Sequence, residues 1–163
     1  MKIYKTTYIS PLGNIVLGSD GASLVGLWLE GQKYFLGIYN EAEDNDSLEV
    51  FKATKRWLDE YFMGKNPEIT MPLAPDGTEF QKKVWIELEK IPYGSTVTYG
   101  DIAKKLGTKS SQAVGGAVGR NPISIIIPCH RVIGKDRTLT GYAGGVDKKL
   151  ELLKLENLNV DVK

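Results

Sequence analysis

The feature that most constrains the fold is a proline-rich stretch in the middle of the chain. Three prolines fall within nine residues: Pro67, Pro72 and Pro75. Proline fixes φ and lacks the N–H that helices and sheets require, so regular structure is interrupted here. We assign residues 71–78 as a linker between an N-terminal domain of residues 1–70 and a C-terminal domain of residues 79–163.

The first half carries the alternating pattern of β-strands. Three segments rich in β-branched and aromatic residues, KIYKTTYI, NIVLGS and LVGLWL, are separated by the turn sequences SPLG and DG. This arrangement predicts an antiparallel meander. Residues 47–63 then place apolar side chains on one helical face, with Ser47 as N-cap and Gly64 as the stop signal. We therefore expect a small α/β domain, an antiparallel sheet plus a helix.

The second half changes to helical periodicity. Thr78 and Gln81 have capping-box spacing ahead of the first helix. Two shorter helices follow, one ending at Gly107 and the next at Asn121, and residues 146–158 predict a closing amphipathic helix. The two short helices have the layout of a helix-turn-helix. Many helix pairs that only fill a core share this spacing, so both interpretations stay open at this point.

Composition excludes several classes of protein. With 42% hydrophobic and 25% charged residues among 163, the chain has the composition of a globular protein. It shows no secretory signal and no apolar run long enough to cross a bilayer, so we expect a cytoplasmic protein with no membrane partner. One cysteine cannot form an internal disulfide, which fits a reducing compartment. One cysteine and one histidine also argue against a structural zinc site.

The charge is distributed unevenly although the net charge is only +1. Residues 41–60 hold seven acidic and three basic side chains, whereas residues 101–137 hold seven basic and two acidic ones. A basic second half is compatible with a nucleic-acid surface. A solvated surface without a partner would show the same distribution.

The second short helix, QAVGGAVG, is unusual because glycine is unfavourable inside helices. Gly115, Gly116 and Gly119 each cost up to ~1 kcal/mol relative to alanine. One interpretation is that this segment is only a short helix or a loop. The other is a helix without side-chain bulk that approaches the walls of the minor groove, which is only about 6 Å wide. Such a helix would contact DNA through its backbone and would scan DNA rather than select a sequence.

The only cysteine and the only histidine are adjacent in IIIPCHRVIG, behind an apolar run that predicts a buried strand ended by Pro128. Cys129 would then open a short helix, where exposed N–H groups favour the thiolate. Three interpretations follow: an inert buried cysteine, a Cys–His hydrolase, or a thiolate that attacks carbon and retains the transferred group. Adjacent residues diverge by about 100° on a helix, which disfavours direct contact between Cys129 and His130 but leaves room for a bridging water.

IPCHRVIG resembles the active-site signature of the DNA alkyltransferases that repair O(6)-alkylguanine, the methylated-DNA–protein-cysteine methyltransferases. IPYGSTVTYGDIA, QAVGGAVGRNP and GYAGG extend the likeness in the same order, closely over residues 78–157 and in outline before them. The resemblance implies an α+β fold. The N-terminal domain would be ribonuclease-H-like, and the C-terminal domain would be winged-helix-like, with a helix-turn-helix that carries both the DNA-binding surface and the active site.

For function, the resemblance implies DNA repair by one irreversible transfer of the alkyl group from O(6)-methylguanine to Cys129. The base would be flipped out through the minor groove of double-stranded DNA. No cofactor and no protein partner would be required, and the protein would act as a monomer. O(4)-methylthymine is an open second substrate, and the range of alkyl groups is open as well.

The resemblance also implies roles for individual residues. Cys129 would accept the alkyl group, His130 would deprotonate it through water, and Glu156 would orient His130. Asn121 would brace the surrounding turns, and Tyr99 would crowd the phosphate and protonate the leaving guanine. The DNA- and base-contacting positions would be Gln112, Ala113, Gly115, Gly116, Arg120, Val132, Tyr142 and Ala143.

Two positions depart from the family pattern. Ala143 stands where members often have serine, and this should matter little because the contact required is a backbone N–H. Gln112 stands where well-studied relatives insert an arginine into the DNA. Glutamine can fill space and hydrogen-bond an orphaned base, but it lacks the charge and the stacking plane of a guanidinium. We therefore expect base extrusion to be less strongly supported here, or a nearby cation to compensate.

Two alternatives come from other functional classes. One is a non-catalytic damage-binding protein on the same scaffold, but such relatives replace the cysteine that is present here. The other is a transcription regulator, for which the Ala/Gly helix offers few groups to read base edges.

Overall fold

The computed structural model describes residues 2–32, 41–136, 142 and 145–156. The N-terminal half contains β1 (Tyr4–Ser10), β2 (Gly13–Ser19), β3 (Leu24–Leu29), β4 (Glu43–Asp44) and α1 (Glu49–Phe62). The C-terminal half contains α2 (Glu79–Glu89), β5 (Val97–Thr98), α3 (Tyr99–Leu106), α4 (Ser111–Gly119), a 3₁₀ turn (Cys129–Arg131), β6 (Val132–Ile133) and α5 (Val146–Leu155). The fold is α+β, as expected. Among these residues, no helix combines the length and the apolar character needed to cross a bilayer.

The predicted meander forms a sheet in the order β3-β2-β1-β4. β1 pairs with β2 and β2 with β3 in antiparallel register, as the alternating pattern predicted. β4 was not predicted, and it joins β1 in parallel over two residues. β3 is buried along its whole length, and Leu24, Leu27 and Leu29 belong to the core that both halves of the chain share.

The helix predicted over residues 47–63 is present as α1, but its predicted N-cap is wrong. Leu48 occupies the cap position without a side-chain hydrogen bond. The Ser47 hydroxyl instead donates to Asn45 Oδ1 at 2.8 Å, because the preceding turn competes for it. The predicted stop at Gly64 is confirmed: its φ of +87° favours glycine, and its N–H donates to Tyr61 O.

The proline-rich connector has no helix or ladder of its own, but it hydrogen-bonds to the edge of the sheet. Leu24 N donates to Pro72 O, and Ala74 N donates to Leu24 O, both at 2.8 Å. The connector therefore pairs with one end of the edge of β3 that faces away from β2. This pairing matters because an open strand edge would otherwise present unpaired N–H and C=O groups.

The helices of the C-terminal half lie where they were predicted, but α4 ends at Gly119 and not at Asn121, and α5 ends at Leu155 and not at residue 158. The capping box of Thr78 and Gln81 is formed at the start of α2, and Gly107 ends α3 with a φ of +70°. α3 and α4 are joined by residues 107–110 in the layout of a helix-turn-helix. The Trp85 indole N–H donates to Ala117 O at 2.9 Å and fixes α2 against α4.

One apolar core is shared by both halves of the chain. β3 supplies the main connection, since Leu27 N donates to Pro122 O at 2.8 Å and Ser124 N donates to Leu27 O at 3.1 Å. The chain that leads to Cys129 is thus held as a short parallel addition to the N-terminal sheet. The division into domains at residues 71–78 stays a prediction.

The buried strand predicted ahead of Pro128 is wrong. Residues 124–127 form turns, and Ile125 adopts a φ of +71° that β-branched residues rarely take. Only Val132–Ile133 is a strand, β6, which pairs in parallel with Val97–Thr98 of β5. The apolar run is buried because it fills the core, and periodicity alone does not distinguish this from a buried strand.

Candidate active site

Asn121 holds the turn that carries the cysteine. Its side-chain amide donates to Ile123 O at 3.2 Å and to Ile127 O at 2.8 Å, and its Oδ1 accepts from Ile123 N at 3.0 Å. Three bonds from one buried side chain satisfy the backbone of an irregular segment. Pro128 then leads into the 3₁₀ turn that begins with Cys129.

Cys129 is buried, with only 5% of its surface exposed. The predicted short helix is present as the 3₁₀ turn, and the backbone N–H of Cys129 favours the thiolate, as predicted, but burial outweighs this effect. The same N–H donates to Ile127 O at 2.7 Å. Burial raises the pKa of the Cys129 thiol, and Asn121 and Lys149 only partly oppose this rise. The resting side chain is therefore a thiol that needs a base.

His130 follows Cys129 and is completely buried. Its Nε2 lies 2.7 Å from Glu156 Oε2. An ionised carboxylate can only accept, so Nε2 carries the proton. Burial lowers the pKa of His130, which makes the ring neutral near pH 7. Nδ1 then presents a lone pair, and this atom has no hydrogen-bond partner in the described part of the chain.

Glu156 lies immediately after α5 and connects three side chains. Besides His130, Arg131 donates through Nε to Oε1 at 2.8 Å and through Nη2 to Oε2 at 3.1 Å. The Tyr61 hydroxyl donates to Oε2 at 2.6 Å. Burial acts to raise the pKa of Glu156, but these partners outweigh it and hold the pKa at about 2. Glu156 is therefore a carboxylate throughout the neutral range.

Sequence analysis missed both Arg131 and Tyr61. Arg131 had been counted with the basic surface, but it is buried, and its Nη1 donates to Ile91 O at 2.7 Å. Its position next to His130 could have suggested a role inside the site. Tyr61 gave no signal, because an aromatic residue on the apolar face of a helix looks like any core residue.

The surroundings of the thiol contain polar atoms with unmet hydrogen-bonding capacity. Within the described residues, Ser124 Oγ and the Tyr142 hydroxyl are buried without partners, like His130 Nδ1. Unsatisfied buried groups are uncommon, and a bound ligand or water is one explanation for them. Val132, another predicted base contact, is fully buried in β6. Ala143 lies outside the described residues.

Lys149 was also missed, and it is the fully buried cation of α5. Burial lowers its pKa to about 8, although the nearby Cys129 acts to raise it. Its Nζ lies 5.9 Å from the centre of the Tyr99 ring. Tyr99, the first residue of α3, is half-buried, so Lys149 connects the predicted acid with the region of the thiol.

The predicted DNA-contacting residues of the second short helix share one surface of α4. The exposed members are Gln112, Ala113 and Gly116, with Arg120 exposed just beyond the helix. Gly115 faces Tyr99, where a Cβ would lie 3.8 Å from the ring, and a Cβ on Gly116 would meet nothing within 4 Å. The segment is a helix and not a loop, and the protein itself does not require either glycine for space.

A metal centre has no candidate ligand set in the described ranges. No group of three or more His, Cys, Asp or Glu side chains is placed to hold an ion there. The fold and the geometry define a buried thiol next to a neutral histidine that is hydrogen-bonded to a carboxylate. In the same half of the chain, the helix-turn-helix presents an exposed helix surface with little side-chain bulk.

Two family profiles match this chain. Residues 3–75 match the ribonuclease-like domain of 6-O-methylguanine DNA methyltransferase, and residues 79–158 match its DNA binding domain. The chain therefore belongs to the 6-O-methylguanine DNA methyltransferase family.

Individual relatives are similar to this chain over nearly its whole length. The chain is 48% identical to a methylated-DNA–protein-cysteine methyltransferase of Methanosarcina acetivorans, covering 94% of this chain and 98% of the relative. It is 44% identical to the protein of that name from Haemophilus influenzae, over 96% and 87%. It also resembles the crystal structure of Mycobacterium tuberculosis OGT in complex with DNA, with a TM-score of 0.85 and 39% identity over 96% and 92% of the two chains.

Proposed function

We propose that this protein repairs DNA by transferring the alkyl group of O(6)-methylguanine to Cys129, once and irreversibly. The observation that carries the proposal is the arrangement of Cys129 beside a buried, neutral His130 on Glu156, in a chain of this family. A protein that only bound damage would not need this thiol and base.

His130 supplies the base that the buried thiol requires. Nδ1 takes the Cys129 proton through a bridging water while Nε2 keeps its own proton on Glu156. Because His130 and Cys129 are adjacent, the water bridges two groups that diverge in direction. Deprotonation at the moment of reaction avoids holding a resting thiolate in a site where burial disfavours one.

The sulfur then attacks the methyl carbon. A C–S bond forms as the C–O bond breaks, and the electron pair passes to the guanine O(6) and ring. Tyr99 donates a proton to the departing guanine and regains one from solvent, so that the products are S-methylcysteine and guanine. Water does not hydrolyse a thioether, which makes Cys129 a single-use acceptor and the protein stoichiometric.

The exposed surface of α4 supports binding to double-stranded DNA through the minor groove. Gln112, Ala113, Gly116 and Arg120 share this surface, and the absence of bulk at Gly116 allows close approach to the backbone. Gln112 lies in the first turn of α4, where it would enter the stack once the base is flipped. The flipped base would contact Val132, Tyr142 and Ala143.

The remaining parts of the proposal concern the oligomeric state, the cellular location and the domains of the protein. The protein acts as a monomer with no cofactor and no protein partner, since Cys129, His130 and Glu156 come from one chain. It works in the cytoplasm, where a lone cysteine stays reduced. Residues 1–70 and 79–163 form its two domains, joined by residues 71–78.

Mass spectrometry of the intact protein tests this function. After mixing with duplex DNA that contains O(6)-methylguanine, we expect the mass to increase by one methyl group, located on Cys129. Cys129→Ser should gain none. Continued turnover beyond one equivalent, or an unmodified Cys129 after the lesion has been lost, would overturn the proposal.

A further inference from the structure

One side chain of the N-terminal half reaches the carboxylate of the site. Tyr61 of α1 is buried, and its hydroxyl lies 2.6 Å from Glu156 Oε2 and 3.5 Å from His130 Nε2. Oε2 is also the oxygen that accepts from His130, at 2.7 Å. Tyr61 and His130 therefore donate to the same atom, from opposite halves of the chain.

Aromatic contacts fix where the Tyr61 hydroxyl points. Its ring stacks on Trp57 with centres 5.1 Å apart and planes at 9°, and it meets the edge of Tyr93 at 6.4 Å and 83°. Trp57 is itself held, because its indole N–H donates to Pro67 O at 3.1 Å. The hydroxyl is thus positioned by packing of the ring against Trp57 and Tyr93, independently of His130.

We propose that Tyr61 is a positioning residue for alkyl transfer, which sets the orientation and basicity of His130 by sharing Glu156 Oε2 with it. This role rests on the proposed function. Each donor to a carboxylate oxygen disperses its charge and leaves less of it for the other donor. Tyr61 therefore limits how strongly Glu156 stabilises the charged form of His130, and so keeps the ring neutral with a lone pair on Nδ1.

Other groups also act on His130. Glu156 favours its charged form, whereas Arg131 and Lys149 disfavour it. Tyr61 stays a donor throughout, because burial raises its pKa well above 10. Removing its hydroxyl concentrates charge on Oε2 and lets the carboxylate turn. We expect His130 to become more basic, so that less of the neutral base is present near pH 7.

Tyr61→Phe tests this role, with Tyr93→Phe as the matched control. The Tyr93 hydroxyl lies in the same aromatic cluster, but its two possible acceptors are Gly64 O and Leu155 O, each at 3.3 Å, and not the Glu156 carboxylate. We expect Tyr61→Phe to lower the second-order rate constant of methyl transfer about fivefold to tenfold near pH 7. Tyr93→Phe should stay within about twofold of the wild type.

The chain contains a single histidine, so ¹⁵N-histidine NMR of untagged protein reports on His130 alone. In Tyr61→Phe we expect a raised His130 pKa, a smaller neutral fraction near pH 7, and an acid limb of the rate profile shifted to higher pH. The same rate loss in both variants, or an unaltered His130 titration, would overturn the proposal. If the wild type itself transfers no methyl group to Cys129, the proposed function fails instead.

A second measurement applies if Tyr61→Phe does not fold. Fluorotyrosine incorporated at position 61 alone makes this phenol a stronger donor to Glu156. We then expect the His130 pKa to fall, and an unchanged pKa would overturn the proposal.

Discussion

His130 Nε2 and Glu156 Oε2 lie 2.7 Å apart with both side chains fully buried. Because Glu156 also neutralises Arg131, removing its charge leaves a buried cation without compensation. We predict that Glu156→Gln lowers the free energy of unfolding by about 3 kcal/mol and slows methyl transfer. Urea denaturation and single-turnover kinetics check this. Glu151→Gln, on an exposed position of α5, is the control and should change neither quantity.

Stability should decrease in acid. The pKa of Glu156 is about 2 in the folded protein, against an ordinary value of 4.5. Its contribution is therefore complete above about pH 4.5 and is lost as the pH falls towards 2. His130 also makes stability fall in acid. Its pKa is lower in the folded protein than in the unfolded chain, so below about pH 6.5 the unfolded chain binds a proton that the folded protein does not.

Urea unfolding at a series of pH values measures this dependence. Glu156→Gln should have a flatter profile below about pH 4.5 than the wild type. A wild-type stability that is constant from neutral pH to about pH 3 would contradict the assignment of these two buried groups.

We predict that Gly116 is needed for DNA binding and not for the stability of the fold. Its Cβ position is open, so Gly116→Ala should raise the free energy of unfolding by up to ~1 kcal/mol. The added methyl group projects from the surface that we place in the minor groove, so DNA binding should weaken. Thermal denaturation and DNA titration at one salt concentration separate the two effects. Unchanged or tighter binding would place this surface outside the interface.

Lys149 should favour the thiolate of Cys129. We predict that Lys149→Met raises the pKa of the thiol, because a cation that lowers it is removed. The chain has one cysteine, so the rate of iodoacetamide alkylation against pH reports on Cys129 alone. The profile should shift to higher pH, while stability is kept, since burial of the charge is itself unfavourable. Lys154→Met, on an exposed position, should leave the profile in place.

Gln112 should limit extrusion of the base. Gln112→Arg restores a side chain that carries charge and stacks, so repair of duplex DNA should accelerate, by about tenfold. Transfer from free O(6)-methylguanine, which needs no extrusion, should not change. Gln112→Ala should slow repair of duplex DNA alone. Equal rates for all three proteins on duplex DNA would remove Gln112 from this step.

Local signals in the sequence predicted most of the helices and strands. The capping box of Thr78 and Gln81, the stop at Gly107 and the three strands of the meander depend on neighbouring residues only. Prediction from the sequence failed where contacts with other parts of the chain determine the local backbone conformation. The segment ahead of Cys129 became a turn with Ile125 at positive φ, because Asn121 and β3 hold its backbone.

The sequence by itself determined the chemistry available to this protein: one thiol next to one imidazole, a carboxylate near the end of the chain, and a helix rich in alanine and glycine. Only the tertiary structure decided the state of those groups. Burial raises the pKa of Cys129 and lowers that of His130, and Tyr61 meets Glu156 across 95 positions of chain. Desolvation and long-range hydrogen bonds depend on how the two halves pack, and no pattern of neighbouring residues encodes that packing.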